Sequence, residues 1–259
     1  VKSKNLVSVR ILQAITPQYA QDYITRFGFD AKHHPPYLTM ALGAGNATPL
    51  QMVGAYAVFA NGGFRVSPYF ITRIEDAKGN SVAQARPERA GEGAERAIDE
   101  RNAFIMTSLL QDVVRAGTAA RAMQLGRTDL AGKTGTTNEF IDAWFCGFGT
   151  GLVAVAWIGF DNPHTLGHNE TGAQAALPMW MAYMGKVMKG VDEQSRNVPE
   201  GVVQARINPE TGLRDPDGRG IVEYFYQEFQ PGDRDSESAP PGVVPGSVKP
   251  PEEVKSQLF

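Results

Sequence analysis

Lys133-Thr134-Gly135, inside AGKTGTTNEF (131–140), puts an ammonium, hydroxyls and a glycine within a few residues. Two chemistries use that combination. A phosphate-binding loop ends in G-K-[ST], and a K-T-G strand can line the cleft of a serine acyl-transfer site. The loop requires G-x-x-x-x-G-K-[ST], because backbone N–H groups must curl around a phosphate just before a helix begins. Here the nearest upstream glycine is Gly126, one residue too far. Thr134-Gly135-Thr136-Thr137 is also a poor helix start but an acceptable strand. The phosphate loop is excluded.

On a strand, Lys133, Gly135 and Thr137 point one way, and Thr134 and Thr136 the other. A lysine beside hydroxyls can bind a substrate carboxylate and set the potential around a nucleophile. Gly135 admits a close backbone or ligand, and the N–H of Thr136 is a candidate oxyanion donor. Alternation puts Lys133 and Thr136 on opposite faces, so both serve one site only from an edge strand with a local twist. On these residues alone, a surface strand with an ordinary Lys-Thr pair fits equally well.

The elements that must position this strand are legible around it. TPLQMVGAYAVFANGG (48–63) predicts a helix capped by Thr48, with Pro49 in the first turn and Gln51 completing a capping box. FRVSPYFITRIED (64–76) reads as strand-like, turning at Lys78-Gly79-Asn80 into SVAQAR, and 86–97 reads as a polar loop. A second helix is predicted over 101–117, its apolar stripe formed by Ile105, Met106, Leu109, Leu110, Val113 and Val114. DAWFCGFG and LVAVAWIGF, joined by Gly149-Thr150-Gly151, read as an antiparallel hairpin. AQAALPMWMAYMGKVMKG (173–190) reads as a closing helix, with Pro178 tolerable only near its start. A short strand-like region lies near 201–226, and the Pro/Gly/charge-rich tail 231–259 is expected to be disordered. Helices on an antiparallel sheet make the expected class α+β.

Composition narrows the function. With 42% apolar residues, 20% charged and a net charge of −3, the chain carries no broad basic surface, which argues against a nucleic-acid partner. A single cysteine, Cys146, excludes an intrachain disulfide and a multi-cysteine metal site. The longest apolar run, 151–160, is about half of the roughly 20 residues a membrane helix needs. The chain opens at VKSKNLVSV without Met or a signal peptide, so we expect a fragment whose targeting information lies elsewhere.

Other chemistry-bearing residues have blander readings. His33 and His34 beside Pro35-Pro36 lack a carboxylate or cysteine cluster at ligand spacing and read as loop histidines. His164 and His168 lie in DNPHTLGHNET, where Pro163 and Gly167 oppose the helix that would bring them together. GAGN (43–46) reads as a chain reversal, Cys146 as a buried inert thiol, and Trp144, Trp157 and Trp180 as core or rim. Ser3-Lys4-Asn5 is weak alone, and Ser195-Arg196-Asn197 repeats its pattern.

Three stretches together are specific: SKNLVSVRI (3–11), ALGAGNATPLQMVGAYAVFANGG (41–63) and AGKTGTTNEFIDAWFCGF (131–148). They resemble the transpeptidase domain of class A, bifunctional penicillin-binding proteins, from about residue 1 to 226. That family combines S-x-x-K, S-x-N and K-T-G. Ser3-Lys4-Asn5 matches the second motif and Lys133-Thr134-Gly135 the third. No serine here has lysine three positions on, so the nucleophile motif lies outside this chain.

The resemblance implies a penicillin-binding fold over residues 1–230 and a peptidoglycan DD-transpeptidase. Its missing serine attacks the penultimate D-alanine of a stem peptide, and an amine of a neighbouring stem takes the acyl group. By the same resemblance, Ser3 relays a proton between the missing lysine and the leaving group, and Asn5 hydrogen-bonds the donor amide. Lys133 supplies positive potential and positions Ser3, while Thr134 and Thr136 hold the substrate carboxylate. The N–H of Thr136 shares the oxyanion. The implied partners are stem peptides on lipid-linked or polymerised glycan, β-lactams as covalent inhibitors, and the segment carrying the nucleophile. No cofactor or metal is implied. The implied location is the periplasmic face of a bacterial inner membrane, with the anchor and a glycosyltransferase elsewhere in the parent protein. The alternative is a serine β-lactamase or a non-catalytic β-lactam sensor. Against the class A lactamase, none of Glu75, Glu88, Glu92, Glu95 or Glu100 has asparagine four residues later.

Overall fold

The computed structural model describes residues 1–215 and 218–232. Its helices are α1 (Asn5–Ile15), α2 (Pro17–Ile24), α3 (Pro49–Ala60), α4 (Glu100–Ala116) and α5 (Leu177–Val187). Its strands are β1 (Phe64–Arg65), β2 (Arg73–Glu75), β3 (Ser81–Gln84), β4 (Glu95–Arg96), β5 (Ala131–Thr136), β6 (Ala143–Gly149), β7 (Leu152–Ile158), β8 (Val202–Ile207) and β9 (Ile221–Tyr226). Helices flanking antiparallel sheets are the α+β class expected. The chain divides into two compact units, Val1–Ser195 and Arg196–Phe259.

The first unit is organised by an antiparallel sheet in the order β5-β6-β7, which leaves β5 at an edge. Alternation along β6 gives the sheet two apolar faces. Phe145 and Ala143 face α5, where the Trp180 ring meets Phe145 edge-on at 4.8 Å and Trp180 Nε1 donates to Ala154 O at 3.0 Å. Leu177, Met184, Val113, Val114 and Leu130 complete that core. Phe148 faces the other way, into a cluster with Leu110 and Ala131 bordered by Tyr56 and Phe59 of α3. The predicted α3 forms as expected, with both halves of the Thr48/Gln51 capping box present.

Three departures from the sequence reading have physical causes. The stretch 64–76 is extended only at its ends, in β1 and β2, because Pro68 removes a ladder donor midway. The expected loop 86–97 instead supplies β4, which pairs with β1. There Arg65 bonds Glu95 at 3.1 Å and Arg96 lies over the Phe64 ring. In α4 the buried face runs through Ala103, Thr107, Ser108, Leu110, Val113 and Val114, while Leu109 is 40% exposed. Ala103, Thr107 and Ser108 share the buried face with Leu110, Val113 and Val114, and Ile105 and Met106 are half-buried, so the buried face is rotated from the predicted stripe. The expected closing helix begins after a π-type turn at Gly172–Ala176, with Pro178 in the first turn of α5.

A polar network ties the end of the first unit to its core. Arg127 forms a two-pronged pair with Asp129 at 2.9 and 2.8 Å and donates to Val191 O. Asp129 also accepts from Thr150 N and Oγ1, and Glu193 accepts from Thr128 N and Oγ1. The second unit contains the antiparallel hairpin of β8 and β9, in the region expected to be strand-like. Of the tail expected to be disordered, residues 233–259 lie outside the described residues.

Candidate functional site

The site gathers at the open edge of β5. Thr137 N donates to Asp142 O at 3.1 Å, which makes that pair a hydrogen-bonded rung of the β5–β6 ladder. Alternation of rungs then turns the N–H and C=O groups of Thr134 and Thr136 away from β6, toward the edge. The N–H expected to hold an oxyanion is therefore aimed outward.

Lys133 solves its own facing problem with its stem. Its side chain starts on the face opposite Thr134, yet Nζ bonds the Thr134 carbonyl at 2.9 Å and the hydroxyl of Ser3. A flexible four-carbon chain lets the ammonium reach the edge, where the Thr134 carbonyl points. Burial pulls the Lys133 pKa below the ordinary lysine value of 10.5. Ser3 sits just before α1 with φ of 47°, in the left-handed region serine seldom occupies.

The other expected residues divide. Thr134 Oγ1 lies 2.7 Å from Thr118 Oγ1, in the turn after α4. Thr136 Oγ1 accepts the Gly172 N–H at 3.0 Å and keeps its own proton to donate. A Cβ at Gly172 would come within 2.4 Å of both Gly135 O and Trp144 O, so only glycine lets this turn rest on the hairpin. Asn5 is the first residue of α1, exposed, with no side-chain hydrogen bond among the described residues.

Beneath Lys133, on the α3 side of the sheet, lies an open cavity of about 630 Å³. Met52 and Tyr56 of α3, His34, Trp144 and Cys146 line it together with Lys133 and Gly135. Burial pushes the Cys146 thiol up to about 12 and raises the Tyr56 hydroxyl, so both stay protonated near neutral pH. The inert thiol is as expected. His34 lies in a bend, outside helix and strand as expected, and it is also buried: 9% exposed and edge-on to Phe29 at 5.1 Å, with burial lowering its pKa. Trp180 is core and Trp157 rim, its Nε1 donating to Asp142 at 2.8 Å. Among the described residues, no group of three His, Cys, Asp or Glu side chains could hold a metal, and no helix is long and apolar enough to cross a membrane. Thr118 was not anticipated; the only signal was its place in the turn Arg115-Ala116-Gly117-Thr118 after a helix.

A family model described as the penicillin binding protein transpeptidase domain matches residues 1–175. Penicillin-binding protein 1A of Neisseria flavescens is 52% identical over 78% of this chain and 25% of that protein. Penicillin-binding protein 1A of Pseudomonas aeruginosa is 40% identical over 97% of this chain and 36% of that protein. The crystal structure of penicillin-binding protein 1A from Haemophilus influenzae superposes with a TM-score of 0.83 at 34% identity, covering 89% of this chain and 39% of that one. The chain thus spans between a quarter and two-fifths of the length of these relatives.

Proposed function

This chain belongs to the penicillin-binding protein transpeptidase family, and on that premise we propose that residues 1–230 are the C-terminal part of a peptidoglycan DD-transpeptidase. The observation that carries this reading is the convergence at the edge of β5. The Lys133 ammonium bonds the Ser3 hydroxyl from 130 positions away in sequence, and the Thr136 N–H, on the same strand as Lys133, points out at that edge.

A serine from a segment outside this chain attacks the carbonyl carbon of the penultimate D-alanine. As the C–O bond forms, the carbonyl oxygen takes negative charge, and the Thr136 N–H and the serine's own N–H stabilise it. The lysine of the absent S-x-x-K motif takes the proton from the attacking serine, and Ser3 passes it on to the departing nitrogen; the C–N bond breaks and D-alanine leaves, with an ester on the serine. An amine of a second stem attacks that ester, its proton returns through Ser3, and the serine is released as the cross-link forms. Lys133 holds Ser3 and adds positive potential. Thr134 and Thr136 bind the terminal carboxylate, and Asn5 bonds the donor amide. The cavity beneath Lys133 gives the upstream segment room to lie against the strand.

β-Lactams acylate the same serine. The parent protein also polymerises glycan and sits at the periplasmic face of the inner membrane, with its anchor outside this chain. A lactamase of the same fold is the competing reading. A labelled penicillin, given to the catalytically complete protein, separates the two by the lifetime of the adduct. We expect an adduct that persists for many minutes; release within seconds contradicts transpeptidase function.

A further inference from the structure

We propose that Thr118 is a positioning residue that aims the Thr134 proton at the substrate carboxylate. The inference rests on the reading of Thr134 as a carboxylate binder.

The turn that ends α4 is built to hold three chain segments together. Gly117 ends the helix in an extended conformation, φ −105° and ψ −153°. A Cβ there would lie 2.7 Å from Val1 O and 2.6 Å from Val113 Cα, so a side chain would push the Ser3 segment off the turn. With glycine in place, Thr118 N donates to Val1 O at 3.3 Å, and Lys2 Nζ donates to Ala116 O at 2.7 Å. That ammonium sits on a terminal carbonyl of α4, where the helix dipole favours positive charge. The turn therefore clamps the segment leading into Ser3.

On its other side, the same turn makes one side-chain hydrogen bond to the K-T-G strand among the described residues. The Thr118 and Thr134 hydroxyls are 2.7 Å apart, both half-buried. Neither hydroxyl has another side-chain hydrogen bond among the described residues. Of the pair's two protons, one is used between them and one is left over. When a carboxylate approaches Thr134, the favourable arrangement is a relay: Thr118 donates to Thr134 Oγ1, and Thr134 donates to the carboxylate. Each bond polarises the next, so the terminal hydroxyl becomes a better donor to an anion than an isolated threonine. Without Thr118, the Thr134 hydroxyl is free to rotate and loses that polarisation. Thr118 touches no substrate; it acts through Thr134.

The test compares two probes on the complete protein, upstream segment included: a penicillin and its methyl ester, which keeps the reactive ring but lacks the carboxylate. Thr118→Val should slow acylation by the acid up to about 10-fold, the upper end for loss of one hydrogen bond between neutral groups, and leave the ester rate unchanged. Thr118→Ser should restore the acid rate. In a double-mutant cycle, adding Thr118→Val to Thr134→Val should cost nothing further. Thr118→Ala removes the same hydroxyl with less demand on the turn, and the same pattern is expected from it. An unchanged acid rate overturns the inference, as does an equal fall with both probes, which marks a merely structural turn. A wild-type protein that takes up neither probe overturns the transpeptidase reading itself.

Discussion

Lys133→Ala is expected to slow acylation of the complete protein by a penicillin about 10³-fold, the scale of losing a positioned charge and proton-relay partner. The ammonium makes two hydrogen bonds, to Ser3 and to the Thr134 carbonyl. Its loss frees Ser3 and removes positive potential from the edge where charge develops. The pH dependence follows from the charged form being the working one. Burial lowers the Lys133 pKa, so deprotonation comes earlier than for an exposed lysine. Acylation should therefore decline with rising pH at values below 10.5, and that alkaline limb should move when Lys133 is replaced by the always-charged arginine. Stopped-flow acylation of wild type and both variants across pH checks it. A rate within a few-fold of wild type for Lys133→Ala contradicts the role.

The second large effect concerns stability. Asp129→Asn is expected to destabilise the chain by about 3 kcal/mol, because it leaves the Arg127 guanidinium, 12% exposed, without its carboxylate. For a chain of this size that lowers Tm by roughly 6–12 °C. The sign with pH is set by the carboxyl itself. Burial alone would raise its pKa, but the bonds from Arg127 and Thr150 outweigh that and hold it below the usual range. Its contribution is thus complete above about 4, the unfolded value, and is lost as pH falls through the lower folded value. Thermal unfolding should show the full gap between wild type and variant at pH 7 and a gap that narrows progressively as pH falls below about 4. A gap that persists in acid would show that the carboxylate charge is not its source.

Sequence periodicity located what local physics decides. The capping box at Thr48, the β6–β7 hairpin and the start of α5 at Pro178 are each specified within a few residues. The same Thr-Pro start opens α2, where Thr16 accepts from Tyr19 N, yet no amphipathic run long enough to draw attention follows it. What the sequence could not show was set by tertiary pairing. β4 exists because β1 lies beside it, and His34 is buried because α2 and the turn after it fold over it. Lys133 reaches Ser3 and the edge carbonyl of Thr134 through a long, flexible side chain, whose end alternation does not place. Thr118 has no motif; only the approach of the α4 turn to β5 brings its hydroxyl to Thr134.

The central claim is that this chain supplies one wall of a cleft whose attacking serine lies on another segment. The direct measurement is labelling with a fluorescent penicillin, followed by mapping of the modified residue. This chain alone should take up no label. The protein with its upstream segment restored should be labelled on a serine of that segment, with Ser3 unmodified. A stable adduct on this chain by itself, at Ser3 or any other serine, would contradict the account.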